Sequence, residues 1–190
     1  MRIDVHAHYW TDDYLDLLTN LGQAGAVAAR GLGAGGGAEL AARLRLMDRA
    51  GVQLQVLSAC PQSPYAQDGQ KAAQAARFVN DQYAGLAQRY PDRFAGFAAL
   101  PMPHPDESIG ELGRALDELG MTGIALTTTV LGRALVEPGF DPVFAELNRR
   151  GAVLYLHPAA ARAILDHNAS TLLGTGQERQ GTASSPVRTR

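Results

Sequence analysis

The chain has 190 residues, of which 46% are hydrophobic and 19% are charged, which is the composition of an ordinary globular domain with a core. Its formal net charge of -2 offers no basic surface for nucleic acid, and no apolar run reaches the roughly 20 residues needed to cross a bilayer. The single cysteine excludes an internal disulfide and the charged N-terminus differs from a signal peptide, so we expect a cytoplasmic protein with neither nucleic-acid nor membrane partners.

Short apolar runs alternate with helical patterns five times along the chain. The predicted strands are residues 2–6, 52–59, 94–100, 123–129 and 152–157. The predicted helices are residues 12–21, 39–50, 70–89, 108–119 and 141–150. This alternation predicts parallel β/α units, in an open sheet that helices cover on both faces or in a closed barrel.

Two segments lack a hydrophobic period. Residues 22–38 are rich in glycine and alanine and predict a mobile loop. The character of the chain changes at residue 168, and its last sixteen residues, 175–190, are almost entirely Gly, Ser, Thr, Gln and Arg. Such a composition buries too little apolar surface to fold, so residues 168–190 predict a disordered tail after a domain of residues 1–167.

Histidines stand at the ends of the first and last predicted strands. Alternate residues on a strand point to the same side, so His6 and His8 can reach one metal ion. His157 ends the fifth predicted strand, and parallel α/β folds place their chemistry at such carboxyl ends. Three neutral imidazoles form a zinc site with a position open to water. The alternatives are two loop histidines and a core histidine at the end of a strand.

Several short segments together carry a resemblance to a known family. They are Ile-Asp-Val-His-Ala-His at 3–8, Asn-Asp at 80–81, Tyr-Pro-Asp-Arg-Phe-Ala-Gly-Phe-Ala-Ala-Leu-Pro at 90–101, Glu-Leu-Gly at 118–120 with Gly123, Phe-Asp-Pro at 140–142 and Leu-His-Pro at 156–158. The set resembles the amidohydrolase-related family that includes aminocarboxymuconate-semialdehyde decarboxylase and the aromatic acid decarboxylases.

The resemblance implies a (β/α)8 barrel and a metal-dependent enzyme. His6, His8 and His157 match the metal ligands of the family, which use zinc or in some members manganese. The implied reaction is decarboxylation by a carboxy-lyase, or hydrolysis, of a small aromatic or unsaturated carboxylic acid.

The chain departs from the family pattern in length. A complete barrel takes about 250 residues, whereas the motifs here end before residue 167. The later strands of the family supply a further histidine and an aspartate ligand, which have no counterpart here, and no catalytic residue can be assigned. We therefore expect an incomplete barrel of about five β/α units, whose open strand edges favour a homo-oligomer. The alternative to an active enzyme is a truncated, non-catalytic remnant that at most binds metal or self-associates.

Three further residues are candidates for substrate contacts. Trp10 follows the histidine pair and would either line a substrate pocket or pack over the barrel mouth. His104 lies between two prolines after the third predicted strand, where a solvated loop histidine is the alternative. Thr129 ends the fourth predicted strand and is either a hydrogen-bond partner of a carboxylate or an ordinary strand threonine. Cys60, at the end of the second strand, is interpreted as a small buried apolar residue.

Overall fold

The fold comes from a computed structural model, which describes residues 1–23, 25–30 and 37–158. The strands are β1 Ile3–His8, β2 Leu54–Ser58, β3 Phe94–Ala98, β4 Gly123–Thr127, β5 Thr129–Val130, β6 Arg133–Ala134 and β7 Leu154–His157. The helices are α1 Asp12–Asn20, α2 Gly25–Ala28, α3 Gly37–Ala50, α4 Gly69–Arg89, α5 Pro105–Asp117 and α6 Asp141–Arg150, with a 3-10 turn at Pro138–Phe140. In this described part of the chain, no helix has both the length and the apolar character to cross a membrane.

Five strands form one sheet in which spatial order follows chain order, β1-β2-β3-β4-β7. Every neighbouring pair is parallel, and each crossover contains at least one helix. Strands β5 and β6 form a separate antiparallel hairpin after β4. Sequential parallel strands with helical crossovers are consecutive units of a (β/α)8 barrel. The prediction of an incomplete barrel with about five β/α units is therefore confirmed.

The sheet is strongly curled. Neighbouring strands lie about 4.8 Å apart, so the outer strands of a flat five-stranded sheet would be separated by roughly 19 Å. His6 and His157 stand on the two edge strands, β1 and β7, yet their ring centroids are only 5.1 Å apart. The edge strands therefore face each other across a concave surface, as opposite strands of a barrel do.

The two sides of the sheet have different packing, because successive side chains of a strand point to opposite faces. The convex side packs against the helices in the main core, and its buried strand residues include Leu57, Phe94, Ala98, Ile124 and Leu126. The concave side carries a smaller buried cluster made of Val56, Cys60, Phe97 and Ala125. Tyr155 packs against this concave cluster from β7.

A buried asparagine fixes the carboxyl end of β3. The Asn80 side chain donates to the Ala99 carbonyl at 2.9 Å and accepts from the Ala99 N–H at 2.8 Å. It also donates to buried Glu111 at 2.8 Å, and its neighbour Asp81 accepts from Arg114 at 2.7 Å. The Asn-Asp pair of the sequence motif therefore ties α4 to α5 and holds the loop that leaves β3.

The predicted loop over residues 22–38 is wrong in its described part. Helix α2 lies inside it, and α3 begins at its end. Ala26 is fully buried in the main core, and the Gln23 amide donates to the Tyr65 carbonyl at 2.8 Å. Small buried alanines leave no hydrophobic period in the sequence, which is why the pattern did not reveal the helix.

Several predicted boundaries shift by one to three residues, and three of these shifts fall close to candidate site residues. Strand β1 continues to His8, and α5 begins earlier than predicted, at Pro105, because the first helical position does not use the N–H that proline lacks. Strand β4 ends at Thr127, and Thr129 begins the β5–β6 hairpin instead of ending β4. The predicted domain end at residue 167 and the predicted tail over 168–190 lie outside the described residues.

Close packing at Gly123 gives a first test. A Cβ on Gly123 would lie 2.5 Å from the Val153 carbonyl oxygen. Real Cβ atoms essentially never come within 3.0 Å of another atom in this way. Gly123→Ala must therefore push β7 away from β4, and we expect the free energy of unfolding, measured by chemical denaturation, to fall by about 1–3 kcal/mol. Gly110→Ala is the matched control, since that site on α5 is open and alanine should stabilise the helix by about 0.5–1 kcal/mol. Wild-type stability of Gly123→Ala would contradict the close β4–β7 packing.

Candidate metal centre

Three histidines from the two edge strands meet on the concave side of the sheet. His6 and His8 lie on β1, and His157 ends β7. One ring nitrogen from each lies within 4.8 Å of the others. Within residues 1–23, 25–30 and 37–158, this is the one group of three or more potential metal ligands that comes so close together.

A register shift in β1 turns these histidines toward the concave side. Between Asp4 and Ala7, β1 advances three residues while its partner β2 advances two, so β1 contains one extra residue. Such a bulge re-aims the side chains that follow it. Asp4 lies opposite Gln55, whose amide donates to the Asp4 carboxylate at 2.9 Å, whereas His8 lies opposite Ser58. The Asp4 carboxylate therefore contacts Gln55 and the backbone N–H of His6, at 3.0 Å, instead of a histidine ring.

The environment of His8 keeps its imidazole neutral. Burial, then the nearby imidazoles of His157 and His6, lowers the pKa of His8 to about 4. His157 is only 9% exposed, while His6 is largely exposed. A neutral ring nitrogen is the form that binds a metal ion. His8 is therefore ready to act as a ligand without first losing a proton.

A hydroxyl group lies beside Nδ1 of His6, and another lies beside Nδ1 of His8. The Tyr155 hydroxyl is 2.9 Å from Nδ1 of His6, and the Ser58 hydroxyl is 3.5 Å from Nδ1 of His8. With Nδ1 directed at a hydroxyl, Nε2 is the nitrogen that each ring can present to a metal. Sequence reasoning missed Tyr155, although its position two residues before His157 places it on the same face of β7.

Trp10 supports the ring of His8. The two rings are stacked, with centroids 5.3 Å apart and planes inclined by 11°. Trp10 is 5% exposed, and its indole N–H donates to the Ala59 carbonyl at 2.8 Å. The structure thus brings this candidate to the histidine cluster, where it fixes the position of His8. Its predicted contact with a substrate stays a prediction.

The other two substrate candidates lie elsewhere on the loops. His104 precedes α5, is half-buried, and its Nε2 lies 2.8 Å from the Ala66 carbonyl, so it connects the loops after β2 and β3. Thr129 is half-buried, and its carbonyl accepts a hydrogen bond from Thr127, the residue paired with His157. Neither belongs to the histidine group, and their contacts with a substrate stay predictions.

Cys60 does not add a thiolate to the site. Its side chain is 1% exposed, and burial raises the pKa of the thiol to about 11. The sulfur lies 3.4 Å from the Ser63 hydroxyl. A thiol that stays protonated is neither a metal ligand nor a nucleophile.

The donor set fits a divalent ion. Three nitrogens that each lie about 2.0–2.1 Å from one tetrahedral zinc ion are roughly 3.4 Å apart. The separations of up to 4.8 Å in the cluster therefore need only sub-ångström movements of the side chains. Three imidazoles leave further coordination positions for oxygen ligands of a water or a substrate.

Comparisons with known proteins point to one family. The sequence profile of the amidohydrolase family matches residues 3–188. Over 117 residues the chain is 37% identical to 2-amino-3-carboxymuconate-6-semialdehyde decarboxylase of Dictyostelium discoideum, covering 61% of this chain and 33% of that protein. Over 127 residues it is 36% identical to gamma-resorcylate decarboxylase of Rhodococcus jostii, covering 61% of this chain and 38% of that protein.

A solved structure extends the likeness to the fold. The 5-carboxyvanillate decarboxylase of Novosphingobium aromaticivorans, complexed with manganese and 4-hydroxy-3-methoxy-5-nitrobenzoic acid, superposes with a TM-score of 0.70 at 26% identity. The superposition covers 92% of this chain and 54% of that protein. The chain therefore spans only about a third to a half of the length of these three relatives.

The lowered pKa of His8 predicts how the stability of the metal-free chain depends on pH. The pKa of this ring is near 6.5 in the unfolded chain and about 4 in the fold, so unfolding takes up a proton between these values. The stability that neutral His8 contributes is complete above about pH 6.5 and is lost as the pH falls toward 4. We expect the denaturation midpoint in the presence of chelator to fall across this window, and to fall less in His8→Asn. An equal slope in the wild type and in His8→Asn would contradict this assignment.

Proposed function

The chain belongs to the amidohydrolase family, and we propose that it forms the metal-binding part of a divalent-metal-dependent carboxy-lyase. The proposed reaction is the decarboxylation of a small aromatic or unsaturated carboxylic acid. The observation that carries the proposal is the convergence of His6, His8 and His157 at the carboxyl ends of β1 and β7. The relatives described above are named decarboxylases, which favours release of carbon dioxide over hydrolysis.

We propose that His6, His8 and His157 hold the ion through imidazole nitrogen. Imidazole ligands suit zinc, which the sequence resemblance implies, and the related carboxyvanillate decarboxylase was solved with manganese. A bound divalent ion at this position supplies a Lewis acid that orients and neutralises the substrate carboxylate.

The residues of the chain contribute the position of the ligands and an apolar wall beside them. Trp10 stacks on the ring of His8, and the Ser58 hydroxyl lies 3.5 Å from its Nδ1, so both residues help to orient this ligand. On the concave side, Phe97 and Ala125 lie in a buried apolar cluster beside Tyr155. An apolar wall suits the ring of an aromatic acid.

Metal analysis of the purified chain tests the ligand assignment. We expect about one divalent ion per chain, since three imidazoles form one site. The double variant His6→Ala/His8→Ala should reduce the metal content to background, because one remaining imidazole does not hold the ion. His104→Ala is the control and should keep the wild-type content, as its ring contacts the Ala66 carbonyl instead of the cluster. An unchanged metal content in the double variant would contradict the proposed site.

Decarboxylation is tested by incubating metal-loaded protein that contains this chain with a panel of carboxylic acids. The panel consists of ortho-hydroxybenzoates and unsaturated carboxylates. We expect release of carbon dioxide that a chelator abolishes, with kcat/KM lowered at least ~100-fold in His157→Ala because the ion loses one of its three imidazole ligands. Hydrolysis of amides or esters in place of carbon dioxide release would overturn the carboxy-lyase assignment. The same conclusion would follow if fully metal-loaded protein released carbon dioxide from none of the acids.

A further inference from the structure

We propose that Tyr155 is a positioning residue for His6, and that its hydroxyl accepts the Nδ1–H of the His6 ring. This hydrogen bond selects the neutral tautomer whose Nε2 lone pair faces the metal position. The inference rests on the proposed function only in taking His6 as a metal ligand. The juxtaposition that carries it joins two residues that are 149 positions apart and lie on opposite edge strands.

The geometry around His6 favours this pairing. The Tyr155 hydroxyl is 2.9 Å from Nδ1 of His6, and the two rings meet edge to face, with planes at 84°. His157 stands two residues further along β7, so it and Tyr155 leave the same face of that strand. Strand β7 therefore supplies two groups near His6. They are the Tyr155 hydroxyl at Nδ1 and the His157 imidazole, which would bind the same metal ion.

The Tyr155 ring is itself held in place. It stacks on Phe97 with centroids 5.3 Å apart and planes inclined by only 7°. Phe97 is 5% exposed and belongs to the buried concave cluster. A hydroxyl on a ring that stacking already orients loses little conformational entropy when it forms its hydrogen bond.

Asp4, the carboxylate nearest in sequence to His6, does not hydrogen-bond the His6 ring, since both of its oxygens have other donors. One oxygen of Asp4 accepts the backbone N–H of His6 at 3.0 Å, and the other accepts from Gln55 at 2.9 Å. Metal-bound histidines usually donate their second ring N–H to a carboxylate, a backbone carbonyl or water. Here the tyrosine hydroxyl takes that place, and it does so for the most exposed of the three histidines. Without it, the His6 ring would have water as its partner and would adopt both neutral tautomers.

Tyr155→Phe separates positioning from packing, since it removes the hydroxyl and keeps the ring that stacks on Phe97. The matched control is Tyr90→Phe, which removes a hydroxyl at the opposite end of the sheet, where the chain enters β3. Zinc affinity is measured by competition with a chelator. The tautomer of His6 is measured by 15N NMR of the metal-free chain at pH about 8.5, where free histidine is neutral.

In Tyr155→Phe we expect the zinc Kd to rise about 10–100-fold and the His6 signals to change from the Nδ1–H form to a mixture of tautomers. Tyr90→Phe should match the wild type in both measurements, and all three proteins should melt alike. Wild-type affinity together with a wild-type tautomer in Tyr155→Phe would overturn the proposal. So would a loss of thermal stability with no change in zinc affinity, since that result describes a structural residue. If the wild-type chain bound neither zinc nor manganese, the proposed function would fail, whereas a tautomer change in Tyr155→Phe would still support the positioning role.

Discussion

The curl of the parallel sheet is the constraint on which the candidate site depends. Its two edge strands carry the three histidines, and a flat sheet of five strands would hold those edges roughly 19 Å apart. The helices that pack on the convex side bury the outward residues of β2, β3 and β4, and this packing keeps the sheet bent. Because the sheet is bent, His6 and His157 approach across the concave side to a centroid distance of 5.1 Å.

The site is built from side chains that other parts of the fold hold in place. Trp10 donates a hydrogen bond to the backbone just after β2 and stacks on His8. Tyr155 stacks on Phe97, and its hydroxyl contacts Nδ1 of His6. Burial keeps His8 neutral, so its protons do not compete with a metal ion over the ordinary pH range. Packing therefore determines both the geometry of the histidine ligands and the protonation of His8. The ligands themselves lie on β1 and β7.

The sequence predicts much of this arrangement because its signals are local. The alternation of strands and helices follows from short apolar runs, and the strand-end positions of His6, His8 and His157 indicate a shared side. The bulge in β1 is different, since it is a property of the pairing with β2 and leaves no mark on β1 alone. The contact between Tyr155 and His6 depends on the curl of the whole sheet, and buried Ala26 marks a helix that has no hydrophobic period.

The central claim is that three imidazoles from opposite edges of the curled sheet bind one ion. X-ray absorption spectroscopy of the zinc-loaded chain tests this most directly, because it reports the number and distance of imidazole ligands. The predicted result is three imidazole nitrogens at about 2.0–2.1 Å in the wild type, and two in His157→Ala. A spectrum with one imidazole or none, or an unchanged imidazole count in His157→Ala, would contradict the account.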